Sequence, residues 1–132
     1  MVDSFNPPDV WKPFGAFAIG AIQGTGQVAL DRDGKIAGKG DMRAQVRRTL
    51  ENILAVLAGI GGTMGDVVSL THYATDIEQF MKTGDIRREF FAAPFPVTTT
   101  VQVSRLYDLA LMIEIAAIAE IPRDRFKRPP AA

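Results

Sequence analysis

Leu109-Ala-Leu-Met-Ile-Glu-Ile-Ala-Ala-Ile-Ala-Glu-Ile121 is the stretch that decides the fold, because it predicts a long buried strand near the end of the chain. Side chains alternate between the two faces of a strand. One face is then wholly apolar, and the other carries Glu114 among apolar neighbours, namely Ala110, Met112, Ala116 and Ile118. The stretch therefore predicts a strand that is buried on both faces and holds one carboxylate at its centre.

Glu114 is the candidate for acid–base chemistry. A buried carboxylate is costly unless it is hydrogen-bonded, paired or protonated, and burial raises its pKa toward neutral pH. A carboxyl group in that range both accepts and donates protons. The alternative is a structural carboxylate that pairs with an arginine or is capped by backbone groups, and the sequence leaves both interpretations open.

Length and composition predict one domain over residues 1–132, with an N-terminal arm over residues 1–13 and a loose basic tail over residues 123–132. The 15 basic residues balance the 15 acidic ones, so overall charge attracts neither nucleic acid nor an anionic membrane. The chain has no cysteine, which excludes disulfides and thiolate nucleophiles. Its start lacks a secretory signal, and no apolar run reaches the ~18 residues of a membrane span. We therefore expect a cytoplasmic protein.

Apolar periodicity predicts an α+β fold in which two helices cover one face of a single mixed sheet. The helices are predicted over 42–59 and 77–92, and the strands over 14–22, 27–30, 67–75, 97–105 and 109–121. Thr75-Asp-Ile-Glu78 predicts a capping box at the start of the second helix. In the first helix, Arg43, Arg47 and Arg48 lie off the apolar stripe and are expected to form a solvated face. Because the last strand is apolar on both sides, the second sheet face also needs cover, which a homo-oligomer supplies.

His72 is the sole histidine and lies on the apolar face of the predicted strand 67–75. A hydrogen-bonded structural role and a catalytic role are both open to it. A metal site requires several ligands, and one histidine in a chain without cysteine offers too few, so we expect no metal. Gly20, Gly24 and Gly26 do not predict a phosphate loop, since no Lys-Ser/Thr pair follows them.

Several short segments, taken in their order and spacing, resemble the RidA/YjgF family of reactive-intermediate deaminases. They are Gly26-Gln27, Arg43–Ile53, Gly65–Val68, Thr71, Tyr73–Asp76, Phe90-Phe91, Val101–Leu106 and Ile113–Ala119. The resemblance implies a chorismate-mutase-like fold and a homotrimer with a central barrel and three clefts between subunits. RidA-like members hydrolyse enamines and imines, such as 2-aminoacrylate, to 2-keto acids and ammonia without metal or cofactor.

The resemblance carries candidate site residues onto this chain position by position. Glu114 falls on the glutamate with which the family positions or activates the attacking water. The other cleft positions hold different residues here. Thr98 stands where the family has its substrate-binding arginine, Thr100 where it has a cysteine, and Gly84 where it has an asparagine. The family's N-terminal tyrosine falls near Phe17, and its serine falls on Thr25. Threonine lacks the charged bidentate fork of arginine, so a contact worth about 2 kcal/mol is missing from this strand.

These differences argue against efficient hydrolysis of simple 2-imino acids. We expect Glu114, the threonine hydroxyls and His72 to surround a larger, less anionic enamine or imine in a cleft between subunits. A non-catalytic trimer that binds a small metabolite or a partner protein is the alternative. Endoribonuclease activity, reported for some relatives, is disfavoured by the zero net charge and by the lack of a basic groove.

Overall fold

The computed structural model describes residues 4–5, 20–21 and 25–128. Ser4–Phe5 (β1) and Gly20–Ala21 (β2) pair as a short antiparallel ribbon. The other residues of the predicted arm and of the predicted strand 14–22, including Phe17, lie outside the described residues.

A four-stranded sheet positions the candidate residues. Its strands are β3 (Thr25–Val28), β4 (Val67–Ala74), β5 (Val97–Gln102) and β6 (Ile113–Ala119), in the order β3-β6-β4-β5. β6 runs antiparallel to both of its neighbours, whereas β4 and β5 are parallel. The sheet is therefore mixed, as predicted, with β6 in its interior and β5 at one edge.

Helix α1 (Met42–Ala58) covers one face of this sheet and ends one residue before the predicted helix. Asp41 caps it, because its side chain accepts a hydrogen bond from the backbone N–H of Ala44 at 3.1 Å. The apolar stripe of the helix is buried against Ile113 and Ile115 of β6 and consists of Val46, Leu50, Ile53 and Leu57. Full burial of such a side chain contributes about 2 kcal/mol, so the stripe fixes α1 on the sheet.

The second predicted helix, 77–92, is wrong as a single element. It consists of α2 (Ile77–Met81) and α3 (Gly84–Phe90), and α2 is capped by Asp76 rather than by Thr75. The hydroxyl of Thr83 donates to the carbonyl oxygen of Phe80 at 2.6 Å, and its backbone N–H donates to the same oxygen at 2.9 Å. A hydroxyl that competes for a helical carbonyl in this way ends the regular pattern, and the chain restarts as α3.

The predicted strand 109–121 is correct in type but too long. Residues 108–111 form a turn, in which the N–H of Leu111 donates to the carbonyl of Asp108 at 3.0 Å. Gln45 of α1 binds the next backbone groups: its Nε2 donates to Ala110 O, and its Oε1 accepts from Met112 N, each at 2.8 Å. These two bonds satisfy the backbone where the strand was expected, so β6 begins only at Ile113. The predicted strand 97–105 likewise ends early, at Gln102.

The sheet face opposite α1 is uncovered within the described residues, and several large apolar side chains are exposed on it beside the polar Ser69, Thr71 and Thr99. Val97 is 71% exposed and Ile118 is 52% exposed, and Val68 and Val101 are exposed as well. Large apolar side chains grouped on one face of a monomer indicate an interaction surface. None of the helices in the described ranges is long and apolar enough to cross a bilayer.

Candidate functional site

Glu114 projects from the uncovered face of the sheet. It pairs in register with Tyr73 of β4 and Val28 of β3, and the neighbouring Ile113 and Ile115 point into the core. A Cβ added at Gly26 would stand 3.7 Å from the Oε2 atom of Glu114, so the glycine leaves open space beside the carboxylate. The alternation predicted from the sequence thus places Glu114 on the uncovered face, where its neighbours along β6 are apolar and its cross-strand neighbour on β4 is Tyr73.

The carboxylate of Glu114 is half-buried, and this burial raises its pKa. None of the hydrogen bonds or ion pairs among the described residues engages it. Arg105, whose reach around the sheet would be needed to pair with it, instead donates to the carbonyl oxygens of Leu106 and Tyr107 at 3.0 and 3.2 Å. Within the described part of the chain, the structural alternative of an arginine-paired Glu114 therefore has no support.

A cavity of about 260 Å³ lies on the other side of the sheet, between α3 and the strands β4 and β5. It is lined by Leu70, His72, Gly84, Arg87, Arg88, Phe91, Phe95, Pro96 and Thr98. Three predicted site residues come together here: Gly84 and Thr98, which the resemblance singled out, and His72, which the strand pattern singled out. Thr100 adjoins the cavity through a hydrogen bond between its Oγ1 and the Nδ1 of His72 at 2.9 Å.

His72 is fully buried in the wall of this cavity. Its ring centroid lies 4.7 Å from that of Phe80, and its Nε2 has no hydrogen-bond partner among the described residues. Burial, and then the positive charge of Arg87, lower the pKa of His72 to about 4. The imidazole is therefore neutral at physiological pH, and its Nε2 atom is a buried polar group without a partner among the described residues.

Arg87 and Arg88 complete the cavity, and sequence reasoning missed both of them. The Arg87 guanidinium carbon lies 4.5 Å above the ring centroid of Phe80, and its Nε atom is buried without a hydrogen-bond partner in the described ranges. Burial, followed by the charge of Arg88, lowers the pKa of Arg87. Neither arginine makes an ion pair with a described residue.

The acidic residues of α3 form ion pairs with arginines of α1. Arg43 pairs with Asp85 at 2.6 Å, and Arg47 pairs with Glu89 at 2.8 Å. The Arg43 hydrogen bond holds the pKa of Asp85 at about 2. Of the predicted solvated face of α1, Arg43 and Arg47 are exposed but ion-paired, whereas Arg48 is half-buried and its Nε donates to the carbonyl oxygen of Leu30 at 3.1 Å. A search of the sequence cannot detect these ion pairs, and it therefore cannot tell which cations of α3 lack an acidic partner.

The structure does not bring all the predicted site residues together within one chain. His72 pairs in register with Ile115, the residue after Glu114, so the two side chains lie on opposite faces of the sheet. Thr25 is buried opposite Ala117, on the helix side, where the Nε2 of Gln27 donates to its hydroxyl at 2.8 Å. Phe17 lies outside the described residues. Among the described residues, no three His, Asp or Glu side chains are grouped as metal ligands.

Comparison with known proteins identifies relatives along most of the chain. The sequence profile described as endoribonuclease L-PSP matches residues 12–121. A RutC family protein of Pyrococcus horikoshii is 37% identical over 114 residues, which cover 82% of this chain and 89% of that protein.

Solved structures share the fold. A protein of the conserved Rid family from Yersinia pestis, described as of unknown function, has a TM-score of 0.84 and 26% identity, covering 92% of this chain and 100% of its own. The TdcF protein of E. coli, solved with bound serine, has a TM-score of 0.76 and 26% identity, covering 92% and 99% of the two chains. The predicted RidA/YjgF resemblance and α+β fold are confirmed.

Proposed function

Because the chain belongs to the endoribonuclease L-PSP family, which includes the RidA/YjgF proteins and supports a role in small-metabolite chemistry, we propose that it is a deaminase-type hydrolase of a small enamine or imine. The observation that carries this proposal is the half-buried carboxylate of Glu114, whose pKa is raised and which no described residue neutralises. Gly26 leaves room beside it for a water molecule or a substrate.

The proposed reaction uses Glu114 as a proton shuttle. Its carboxylate removes a proton from water while the water oxygen bonds to the carbon of the C=N group, and the nitrogen takes up a proton to give a carbinolamine. Collapse of that intermediate breaks the C–N bond and releases ammonia and a carbonyl compound, so one water is consumed for each imine. An enamine first takes a proton on carbon to become the imine. A raised carboxyl pKa suits both directions of transfer near neutral pH.

We further propose that the working unit is the homotrimer that the resemblance implies. Exposed apolar residues such as Ile118 lie on the same sheet face as Glu114, so a second copy seated there would shield the carboxylate from water. The same assembly would offer the cavity of a neighbouring copy as the other half of a cleft. This arrangement would bring Glu114 of one copy close to the cavity of the next copy, whereas the two lie on opposite sheet faces within a single chain.

Turnover of an imine panel by the wild type and by Glu114→Gln tests the proposed hydrolysis. Ammonia release is measured with cyclic and acyclic imines, and we expect Glu114→Gln to lower kcat at least about a hundredfold, since a lost general base typically costs that much. Glu120→Gln is the matched control, because Glu120 ends the same strand region but is exposed. Equal turnover by wild type and Glu114→Gln would remove Glu114 from the mechanism.

A non-catalytic metabolite-binding role is the second candidate, favoured by the threonine at position 98 and by the serine bound to the related TdcF protein. A compound that raises the melting temperature of the protein but is never consumed would support it. The family description also names endoribonucleases, and cleavage of single-stranded RNA by the wild type but not by Glu114→Gln would replace both candidates.

A further inference from the structure

The segment that joins β5 to β6 holds Tyr107 at one end of the sheet. The guanidinium of Arg105 donates to the carbonyl oxygens of Leu106 and Tyr107 at 3.0 and 3.2 Å. The side chain of Leu106 packs against the apolar cluster that contains Val28 and Leu30. The backbone of Tyr107 is therefore fixed beside the point at which β3 ends.

A cavity of about 400 Å³ lies between this segment and the turn that follows β3. Its walls include Leu30 and Ile36 on the turn and Tyr107 on the segment. Leu30 is two residues beyond Val28, the residue that pairs in register with Glu114. An extended chain spans at most about 7 Å over two residues, so the cavity wall begins beside the strand position of Glu114. A molecule bound there has access to the phenol of Tyr107.

The carboxylate of Glu114 is accessible from the β3 side. Its Oε2 atom is 3.7 Å from the position of a Cβ built on Gly26, so this glycine leaves the space beside the carboxylate open. On the other side, Tyr73 of β4 stands directly opposite Glu114 and shares its sheet face. A substrate at Glu114 is therefore bordered by β3, the strand at whose end Tyr107 stands.

Electrostatics connect Tyr107 with Glu114 as well. Tyr107 is half-exposed, and its partial burial, followed by the negative charges of Asp108 and Glu114, raises the pKa of its phenol. A carboxylate acts on a phenol in this way only from nearby, since the interaction weakens with distance and salt screens it beyond about 10 Å. The phenol is therefore protonated at neutral pH and has a proton to donate.

We propose that Tyr107 is the second proton-transfer group of the Glu114 site and that its phenol donates to the nitrogen of the bound imine. The inference rests on the proposed function and names the group that serves the nitrogen, whereas Glu114 serves the attacking water. One side chain of β6 and one of the segment before it then act on the two atoms of the C=N group.

The proton transfers balance with these two side chains alone. Glu114 takes a proton from water as the water oxygen bonds to carbon, and Tyr107 gives its proton to the nitrogen, which forms the carbinolamine. Glu114 then passes its proton to that nitrogen, the C–N bond breaks, and ammonia leaves. The hydroxyl proton of the carbinolamine returns to the Tyr107 oxygen as the carbonyl group forms, so both side chains recover their starting states.

Fluorine NMR tests the pairing of Tyr107 with Glu114 without any turnover. The chain has two tyrosines, so protein labelled with 3-fluorotyrosine in a Tyr73→Phe background carries one reporter, at position 107. The fluorinated phenol ionises at a lower pH than tyrosine itself, in a range where the neighbouring Lys35 and Lys39 stay charged. Its chemical shift, followed against pH, gives the midpoint of the ionisation.

Glu114→Gln should lower this midpoint, because it removes a negative charge that opposes ionisation of the phenol. Glu120→Gln is the matched control and should leave the midpoint unchanged, since Glu120 is exposed and follows the other end of β6. The other charged groups around Tyr107 among the described residues are the same in all of these proteins, so their effects cancel. They are Lys35, Lys39, Asp108 and Arg105.

Ammonia release from the imine panel tests the role of Tyr107 in the reaction. Tyr107→Phe should lower kcat about a hundredfold with little change in KM, since a positioned proton donor acts in the transition state. Tyr73→Phe removes the hydroxyl opposite Glu114 and should cost less. Circular dichroism and thermal unfolding confirm that each variant is folded.

An unchanged midpoint in Glu114→Gln would overturn the role of Tyr107 and leave the hydrolysis proposal standing. Turnover by Tyr107→Phe that equals the wild type would do the same, and so would a larger loss in Tyr73→Phe than in Tyr107→Phe. Absence of ammonia release by the wild type with every imine would instead overturn the hydrolysis proposal and the proton-donor role together.

Discussion

At the scale of the residue, burial shifts the pKa values of Glu114 and His72 in opposite directions. Burial raises the pKa of Glu114 and lowers that of His72, because in each case it disfavours the charged form. The imidazole of His72 is therefore uncharged near neutral pH.

Titration of His72 should destabilise the protein in acid. Its pKa is about 4 when folded and near 6.5 when unfolded, so the unfolded chain binds a proton first as the pH falls. The contribution to stability is fully present above pH 6.5 and is lost as the pH falls toward 4. Between pH 7.5 and 4.5, we expect the wild type to lose about 2 kcal/mol more unfolding free energy than His72→Gln.

Denaturant unfolding of both proteins at the two pH values measures this difference. Acidic side chains with lowered pKa, such as Asp66 and Asp85, destabilise both proteins alike in acid and so cancel. Arg87 faces His72 and stays charged throughout. Equal losses for His72→Gln and wild type would show that His72 is not held neutral by the fold.

Sequence reasoning at this scale identified Glu114 correctly as a carboxylate on an apolar strand face, because the period of a strand is fixed. It did not find Arg87 and Arg88. Their freedom from acidic partners depends on ion pairs between two helices, and such pairs join residues about forty positions apart. No local pattern in the chain reveals which of several arginines remains uncompensated.

At the scale of the element, Gln45 determines how α1 meets the start of β6. Its side chain is fully buried and satisfies one carbonyl and one N–H of the segment 110–112. Buried backbone groups without partners are rare in proteins because each of them is costly. The amide thus does for this segment what a neighbouring strand would otherwise do.

Gln45→Ala should lower the unfolding free energy by about 2–4 kcal/mol, because it removes a fully buried side chain and the hydrogen bonds that it makes to two partly buried backbone groups. Gln79→Ala is the control, since Gln79 is exposed and bonds only to Asp76 through its side chain. Denaturant unfolding at neutral pH compares the two variants. Similar, small losses in both would show that residues 110–112 find other partners.

Element boundaries were predicted well where the pattern is local, as in α1 and β4. They failed where a single side chain overrides it, as Thr83 does between α2 and α3 and Gln45 does before β6. Apolar residues at 109–112 also mimic a strand, because Leu111 is buried for packing without being part of the sheet. The periodicity of apolar residues indicates which side chains are buried, but it does not indicate the hydrogen-bond partner of each backbone group.

At the scale of the whole molecule, the uncovered sheet face is the main surface left to explain. Ile118 lies on it, close to Glu114 along β6, and is half-exposed in the single chain. We propose three copies of the chain around this face, and the charge balance of the protein offers no repulsion against such an assembly.

Ile118→Lys should dissociate the proposed trimer, because it would bury a charge in an apolar interface. Leu54→Lys is the matched control, since Leu54 has a similar exposure but lies on α1, on the other side of the molecule. Light scattering coupled to gel filtration should give a mass of three chains for the wild type and for Leu54→Lys, and of one chain for Ile118→Lys. A single-chain mass for the wild type would contradict the trimer, and so would a three-chain mass for Ile118→Lys.

The ion pairs of Arg43 with Asp85 and of Arg47 with Glu89 hold the two carboxylates of α3 on α1 and so keep them from pairing with Arg87 and Arg88. Helix α1 has this effect although none of its residues lines the cavity. Asp85 stands three positions before Arg88 on α3, a spacing at which opposite charges meet. In a chain without Arg43, the Asp85 carboxylate would be free to pair with Arg88. Substitutions on the exposed surface of α1 can thus change the charge of the cavity and the ligand it prefers, although every residue that lines the cavity stays the same.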